Sequence, residues 1–193
     1  MKIGIAGGIG SGKSSIAKAF EKLGIPVFYA DTEARELINK SPQIKHKLIQ
    51  AFGENIYLGK HLNKSALAEL IFSDDAARNT VNKIVHPEVR FAFGKWADSC
   101  QYDIVMIEAA ILFDTGLYKT LDATILVLAD ENQRLKRILA RDEISEKEVK
   151  NRFASQQNPE NHKNLATFLI NNNDEAEVLP QILNIYNKIT HNG

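Results

Sequence analysis

Short apolar runs alternate with amphipathic stretches along most of the chain, and the pattern predicts strands separated by helices. Ile3, Ile5 and Ala6 form a strand that glycines end. Ser14 to Leu23 then continues as a helix with apolar positions at Ile16, Ala17, Phe20 and Leu23. Gly24 stops that helix, and Pro26-Val27-Phe28-Tyr29 reads as a second strand that delivers Asp31 at or just beyond its carboxyl end. Ile104-Val105-Met106-Ile107 ends in Glu108, and Ala123 to Leu128 ends near Asp130. Both runs are apolar throughout, as central parallel strands covered on two faces are. Glu131 to Arg141 is a charged helix, Ser145 and Glu148 are spaced for a capping box, and Phe168-Leu169-Ile170 supplies a fifth strand. The tail from Glu175 to Ile189 is an amphipathic helix using Val178, Ile182, Ile185 and Ile189, with Pro180 near its start.

Residues 32–100 break this rhythm. Helical patterns over 32–40, 43–52, 63–72, 74–84 and 87–100 are separated by Ser41-Pro42, Gly53, Gly59 and His86-Pro87, with no strand among them. Asn63 and Ser73 are placed to cap the third and fourth pieces. The stretch is a helical insertion in an α/β chain whose sheet is parallel. Trp96, Tyr102, Val89, Phe91 and Phe93 are expected to pack the insertion rather than to bind a ligand.

The chain has 193 residues, with 24 basic and 24 acidic side chains and a formal charge of +0. That balance gives no global reason to expect nucleic acid or an anionic membrane as a partner. Cys100 is the only cysteine, which excludes an internal disulfide and suits a buried thiol in a reducing compartment. No segment approaches the roughly 20 apolar residues of a membrane helix, and the start lacks a secretion signal, so the expectation is a cytoplasmic protein.

The chemistry is concentrated at the first strand's end. Gly7-Gly8-Ile9-Gly10-Ser11-Gly12-Lys13-Ser14 fits G-x-x-x-x-G-K-[ST] without a mismatch, between a strand and a helix. In such a loop backbone N–H groups cradle phosphates, Lys13 reaches the β/γ oxygens of ATP, and the Ser14 hydroxyl can ligate Mg²⁺. Residues 7–15, Ser15 included, would hold MgATP. Lys13 is expected on a solvent-accessible loop, so that replacing it spares the fold. Gly4 lets a neighbouring element approach the first strand. Asp31 is the candidate to orient or deprotonate an acceptor hydroxyl, and it also suits the cap of helix 32–40. Glu108, at a strand's end, can hold Mg²⁺ directly or through water. Arg137 and Arg141, four apart, share a helix face fit to close over polyphosphate, whereas Arg134 reads as a solvated helix edge. Neither Asn82-Lys83 nor Asn187-Lys188 is followed by the aspartate of a guanine-nucleotide switch. His46, His61, His162 and His191 follow no metal-site pattern, which leaves substrate-associated Mg²⁺ as the metal.

Further segments resemble the dephospho-coenzyme A kinase family along almost the full chain. Ile5 to Ser14 is similar to its phosphate loop, Tyr29-Ala30-Asp31-Thr32-Glu33-Ala34-Arg35 to its second motif, and Ile84-Val85-His86-Pro87-Glu88-Val89-Arg90 to its His-Pro segment. Arg141-Asp142, Arg152 and Gln156-Gln157 resemble its lid, and Ala166 to Asn172 its closing strand. Two positions depart: Ala110-Ile111-Leu112-Phe113-Asp114 stands where the family often has Pro-Leu-Leu-Phe-Glu, and Asn173 replaces a glycine. The resemblance implies a three-layer P-loop NTPase fold with a five-stranded parallel sheet. Its core would be residues 1–31 and 101–193, with an acceptor-binding insertion at 32–100 and a helical lid at 134–160. It implies transfer of phosphate from ATP to the ribose 3′-hydroxyl of dephospho-coenzyme A, the last step of coenzyme A synthesis; nothing in the sequence points to an obligate protein partner. Arg35, His86 and Arg90 would join Asp31 on the acceptor side, although His86 equally suits a buried hydrogen-bonding role. Asn172 would join Gly8, Gly10, Ser11 and Gly12 on the nucleotide side. A nucleoside monophosphate kinase is the alternative within the class, and an ATP-dependent regulatory module using the 32–100 helices as a surface is the alternative outside it.

Overall fold

The computed structural model describes residues 1–59, 61–154 and 156–191, without the side chains of Phe72, Ser73 and His191. In chain order the elements are β1 (Lys2–Gly7), α1 (Lys13–Lys22), β2 (Val27–Tyr29), α2 (Ala30–Lys40), α3 (Pro42–Phe52), β3 (Tyr57–Leu58) and β4 (His61–Leu62). There follow α4 (Lys64–Ser73), α5 (Asp75–Ser99), β5 (Val105–Glu108), β6 (Ala123–Leu128), α6 (Glu131–Arg141), α7 (Glu146–Ala154), β7 (Phe168–Asn171) and α8 (Val178–His191). They group into two compact units, Met1–Tyr29 with Cys100–Gly193 and Ala30–Ser99.

The first unit is an α/β sandwich. Its sheet has the order β2-β5-β1-β6-β7, parallel at every pairing. The apolar runs become its strands because both faces are covered. Ile3, Ile5, Met106, Ile125, Val127 and Ile170 pack with Ile16, Ala17 and Phe20 of α1 and Ile182, Ile185 and Ile189 of α8. A Cβ on Gly4 would lie 2.5 Å from Leu112 Cδ1 and 2.6 Å from Leu121 Cδ1, the close approach expected of that glycine. The chain visits strands on one side of β1 before crossing to β6 on the other, and in sheets of this kind ligands bind beyond the carboxyl ends of the strands. The capping box closes as its spacing predicts: Ser145 N–H donates to Glu148 Oε2 at 2.9 Å, and Glu148 N–H to Ser145 Oγ at 3.3 Å.

The second unit is helical, with two departures from the sequence expectation. The pieces 74–84 and 87–100 are one helix, α5, running through Pro87. A mid-helix proline costs about 3 kcal/mol. Burial offsets it: Ala77, Val81, Val85, Val89, Phe93 and Ala97, each four residues on, form an unbroken apolar stripe, and each larger side chain contributes about 1.5–3 kcal/mol. α2, α3 and α4 all pack against this helix. The second departure is an antiparallel ladder, Tyr57 opposite Leu62 and Leu58 opposite His61, where no strand is expected. Two-residue strands are too short to show alternation. This one is fixed by side chains, with Tyr57 Oη donating to Ile38 O at 2.8 Å and Leu62 N–H to Asn39 Oδ1 at 3.0 Å.

Smaller corrections follow from the same facts. Asn63 caps α4 as expected, accepting from Ala66 N–H at 3.3 Å. The Ser73 side chain lies outside the described residues, and before α5 it is Asp74 Oδ1 that accepts from Ala76 N–H, at 2.7 Å. Asp31 is not a cap, because α2 already begins at Ala30; it sits in the first turn, where a carboxylate favours the helix dipole. Phe93 and Val89 are buried and Trp96 stacks on Phe93 at 6.1 Å, but Phe91 is 61 % and Tyr102 60 % exposed. Cys100 is a free thiol only partly buried, not the buried one expected.

Candidate active site

β1 runs out at Gly7, and the loop that follows turns sharply before α1. Gly10 (φ 78°) and Gly12 (φ 87°) hold left-handed backbone that other residues adopt only with strain. Ser11 N–H closes the turn on Gly8 O at 3.0 Å. The N-cap of α1 is Gly12, which has no side chain to cap it, so the loop and the first turn present backbone donors to an anion. Behind Gly12 stands Asn172, whose amide donates to Ser11 O at 2.7 Å. A Cβ on Gly12 would collide with that amide. Gly12→Ala is therefore expected to lower the melting temperature by at least about 2–4 °C, from roughly 1 kcal/mol or more of backbone strain. It should weaken ADP binding as well, and thermal scans with and without ADP check both.

Lys13 and Ser14 open α1 and meet the end of β5. Lys13 Nζ is 3.4 Å from Glu108 Oε1, and Ser14 Oγ donates to the same oxygen at 3.3 Å. Glu108 is 4 % exposed and lies in register with Ile5 on one side and Tyr29 on the other, so the sheet itself sets its position. Lys13 is mostly buried in this pair, which corrects the expectation of a solvent-accessible lysine whose loss spares the fold. Burial raises the Tyr29 phenol well above its ordinary range, helped by its 2.8 Å hydrogen bond to Glu21 and by the charge of Glu108. Tyr29 thus stays a neutral donor at the end of β2.

The α6 arginines do not act as one group in this structure. Arg137 Nη2 pairs with Asp174 Oδ1 at 2.8 Å and with Gln133 Oε1 at 3.2 Å. Arg141, largely exposed, is gripped by Asp142 through Nε at 2.7 Å and Nη2 at 3.0 Å. Arg134, expected at a solvated edge, is instead buried against Gly8 of the loop. A signal for this existed, since Arg134 precedes the buried Ile138 by four residues and so shares its stripe. Gln156 Oε1 accepts from Ile9 N–H at 3.0 Å, bringing the segment after α7 onto the loop. Gly8, Ser11, Arg134, Phe153 and Gln156 help line a cavity of about 510 Å³ beyond the end of β6. Asn173, which stands where the resembled family usually has a glycine, accepts from Asp130 N–H through Oδ1 at 2.8 Å and ties β7's end to the start of α6.

Within the helical unit, α2 carries Asp31 and Arg35 one turn apart, and α5 carries His86 and Arg90 likewise. Burial lowers the His86 pKa, the Arg90 charge lowers it further, and the Asp31 charge opposes both. His86 is thus neutral at pH 7 and lies within electrostatic reach of both neighbours. Among the other histidines, His162 stacks on Phe113 at 5.2 Å and places Nε2 3.5 Å from Asp114 Oδ1. The described residues include no cluster of three or more His, Cys, Asp or Glu side chains placed to hold a metal.

A family model described as dephospho-CoA kinase matches residues 1–177. The chain belongs to the dephospho-CoA kinase family. A dephospho-CoA kinase of Bacteroides fragilis is 36 % identical over 187 residues, covering 96 % of this chain and 91 % of the relative. That of Porphyromonas gingivalis is 40 % identical over 155 residues, covering 80 % and 77 %. Among solved structures, a Thermus thermophilus protein aligns with TM-score 0.86 and 30 % identity, covering 98 % of this chain and 97 % of the other. A Campylobacter jejuni dephospho-CoA kinase aligns with TM-score 0.72 at 23 % identity, covering 100 % and 99 %, and shares the fold. The chain is accordingly a P-loop phosphotransferase that uses ATP as donor, as its complete loop and parallel sheet lead one to expect. Among its described residues no helix is long and apolar enough to cross a membrane.

Proposed function

We propose that the enzyme completes coenzyme A by moving the γ-phosphoryl group of ATP onto the ribose 3′-hydroxyl of dephospho-coenzyme A. The observation that carries the donor half is the convergence of Lys13, Ser14 and Glu108 on one oxygen beside an uncapped helix start. The acceptor half rests on family membership across residues 1–177.

The Gly8–Ser15 backbone cradles the phosphates, and Lys13 offsets charge on the β/γ oxygens. Ser14 Oγ and Glu108 Oε1 are hard oxygen donors 3.3 Å apart, the type and number of protein ligands Mg²⁺ accepts when phosphates and water complete its shell. When bound, Mg²⁺ would neutralise charge on the phosphate oxygens. Asp31 orients the acceptor hydroxyl and takes its proton late in the transfer. The insertion 32–100 holds the acceptor, with Arg35 and Arg90 as partners for its phosphates and neutral His86 as a hydrogen-bonding group. The stretch 134–160 acts as the lid, with Arg137 and Arg141 exchanging Asp174 and Asp142 for the nucleotide as it closes. Asn172 borders the nucleotide from the end of β7.

The deciding experiment is an acceptor screen with MgATP and dephospho-coenzyme A, AMP, CMP, UMP or shikimate in parallel. Turnover of dephospho-coenzyme A alone is expected. Fast turnover of any other acceptor with none of dephospho-coenzyme A would overturn the reading. Ser14→Ala should show a defect that grows as Mg²⁺ becomes limiting. A mutant-to-wild-type rate ratio independent of Mg²⁺ would remove Ser14 from the metal shell.

A further inference from the structure

Of the three α6 arginines, Arg134 alone has no carboxylate partner among the described residues. Arg137 and Arg141 each hold an aspartate, and Lys13 holds Glu108. Arg134 is only 7 % exposed, its Nε is buried without a hydrogen-bond partner, and its guanidinium lies over the Phe153 ring at 4.3 Å. A Cβ on Gly8 would strike its Nη1, so the cation rests directly on the phosphate loop. Burial pulls the guanidinium pKa below its ordinary range, opposed by the charge of Glu131, which is exposed and one turn back. Arginine nevertheless remains a cation at neutral pH.

A buried cation without a counter-ion is costly, and proteins retain one where a ligand supplies the missing charge. Ser11 Oγ, 1 % exposed and also without a partner, lines the same cavity as Arg134 and Gly8. Two buried polar atoms, Arg134 Nε and Ser11 Oγ, both without a partner among the described residues, therefore belong to side chains that border one space beside a loop built for phosphate. We propose that Arg134 contacts the terminal phosphoryl group of the nucleotide triphosphate and makes the enzyme discriminate triphosphate from diphosphate. The inference rests on the reading that this loop holds ATP. Phe153, with its ring centroid 4.3 Å from the guanidinium carbon, holds the cation beside the loop, so the contact is preformed.

The test compares wild type and Arg134→Met, which keeps an apolar stem over Phe153 and removes the charge. Binding of ADP and of a non-hydrolysable ATP analogue is titrated on each, and melting temperatures are measured without nucleotide. The variant should bind ADP within about twofold of wild type and the analogue roughly tenfold more weakly, the scale of one lost charge-assisted contact. Its melting temperature without nucleotide should equal or exceed that of wild type, because an uncompensated buried cation is gone. An unchanged preference for triphosphate would overturn the proposal. So would a variant that melts lower or fails to fold, since Arg134 would then be structural. If wild type bound neither nucleotide, the assignment of the loop itself would fall; if it bound both and the ratio stayed flat, only the role of Arg134 would.

Discussion

Lys13→Ala is expected to lower kcat roughly 10³-fold at saturating MgATP, the scale of removing one preorganised charge contact to a transferring phosphoryl group. The variant should also be less stable, which follows from the geometry rather than the motif. Lys13 Nζ sits 3.4 Å from Glu108 Oε1, and both side chains are largely buried. Alanine takes the Lys13 charge away from Glu108 while the Ser14 hydroxyl stays, and breaking such a pair costs about 3 kcal/mol. In a chain of this size that is roughly 6–12 °C in melting temperature. The two effects separate in the double variant Lys13→Ala/Glu108→Gln. Neutralising the Glu108 carboxylate should recover most of the stability and none of the rate. Near-normal kcat in a folded Lys13→Ala protein would take Lys13 out of transition-state stabilisation, and unchanged melting would show that the pair contributes nothing to the fold.

That coupling was hidden from the sequence, because the motif fixes where Lys13 stands along the chain but not what β5 places opposite it. What was legible was local or strongly periodic. Apolar runs gave the five parallel strands, the Ser145–Glu148 spacing gave its capping box, and glycine spacing gave the loop. What was not legible depended on partners distant in sequence. Pro87 looked like a break because proline disfavours helix interiors, and only the stripe from Ala77 to Ala97, packed on three other helices, outweighs it. The Tyr57–Leu62 ladder rests on Ile38 and Asn39 of α2. Charge misled most at Arg134, since a basic residue on a charged helix is ordinarily solvated. Its position four before Ile138 was the better guide.

Asp31→Asn tests the acceptor side with the least disturbance. Asp31 is exposed in the first turn of α2, which begins at Ala30, so asparagine forfeits only a first-turn contribution to the helix dipole. Thermal unfolding should therefore barely move. The rate should move a great deal: a group that orients the ribose hydroxyl and accepts its proton contributes roughly 10² or more, and asparagine keeps the shape without the negative acceptor. The loss should appear in single-turnover transfer to dephospho-coenzyme A while ADP affinity stays near wild type, because the donor loop is untouched. The neighbourhood of His86 offers a second readout. Burial and Arg90 hold its pKa down and the Asp31 charge opposes them, so asparagine should lower it further. Followed by NMR, the His86 ring should then take up its proton at a lower pH than in wild type. A folded Asp31→Asn enzyme transferring phosphate at the wild-type rate would defeat the catalytic assignment. The same loss of rate with the His86 titration unmoved would keep Asp31 in catalysis and remove it from the surroundings of His86.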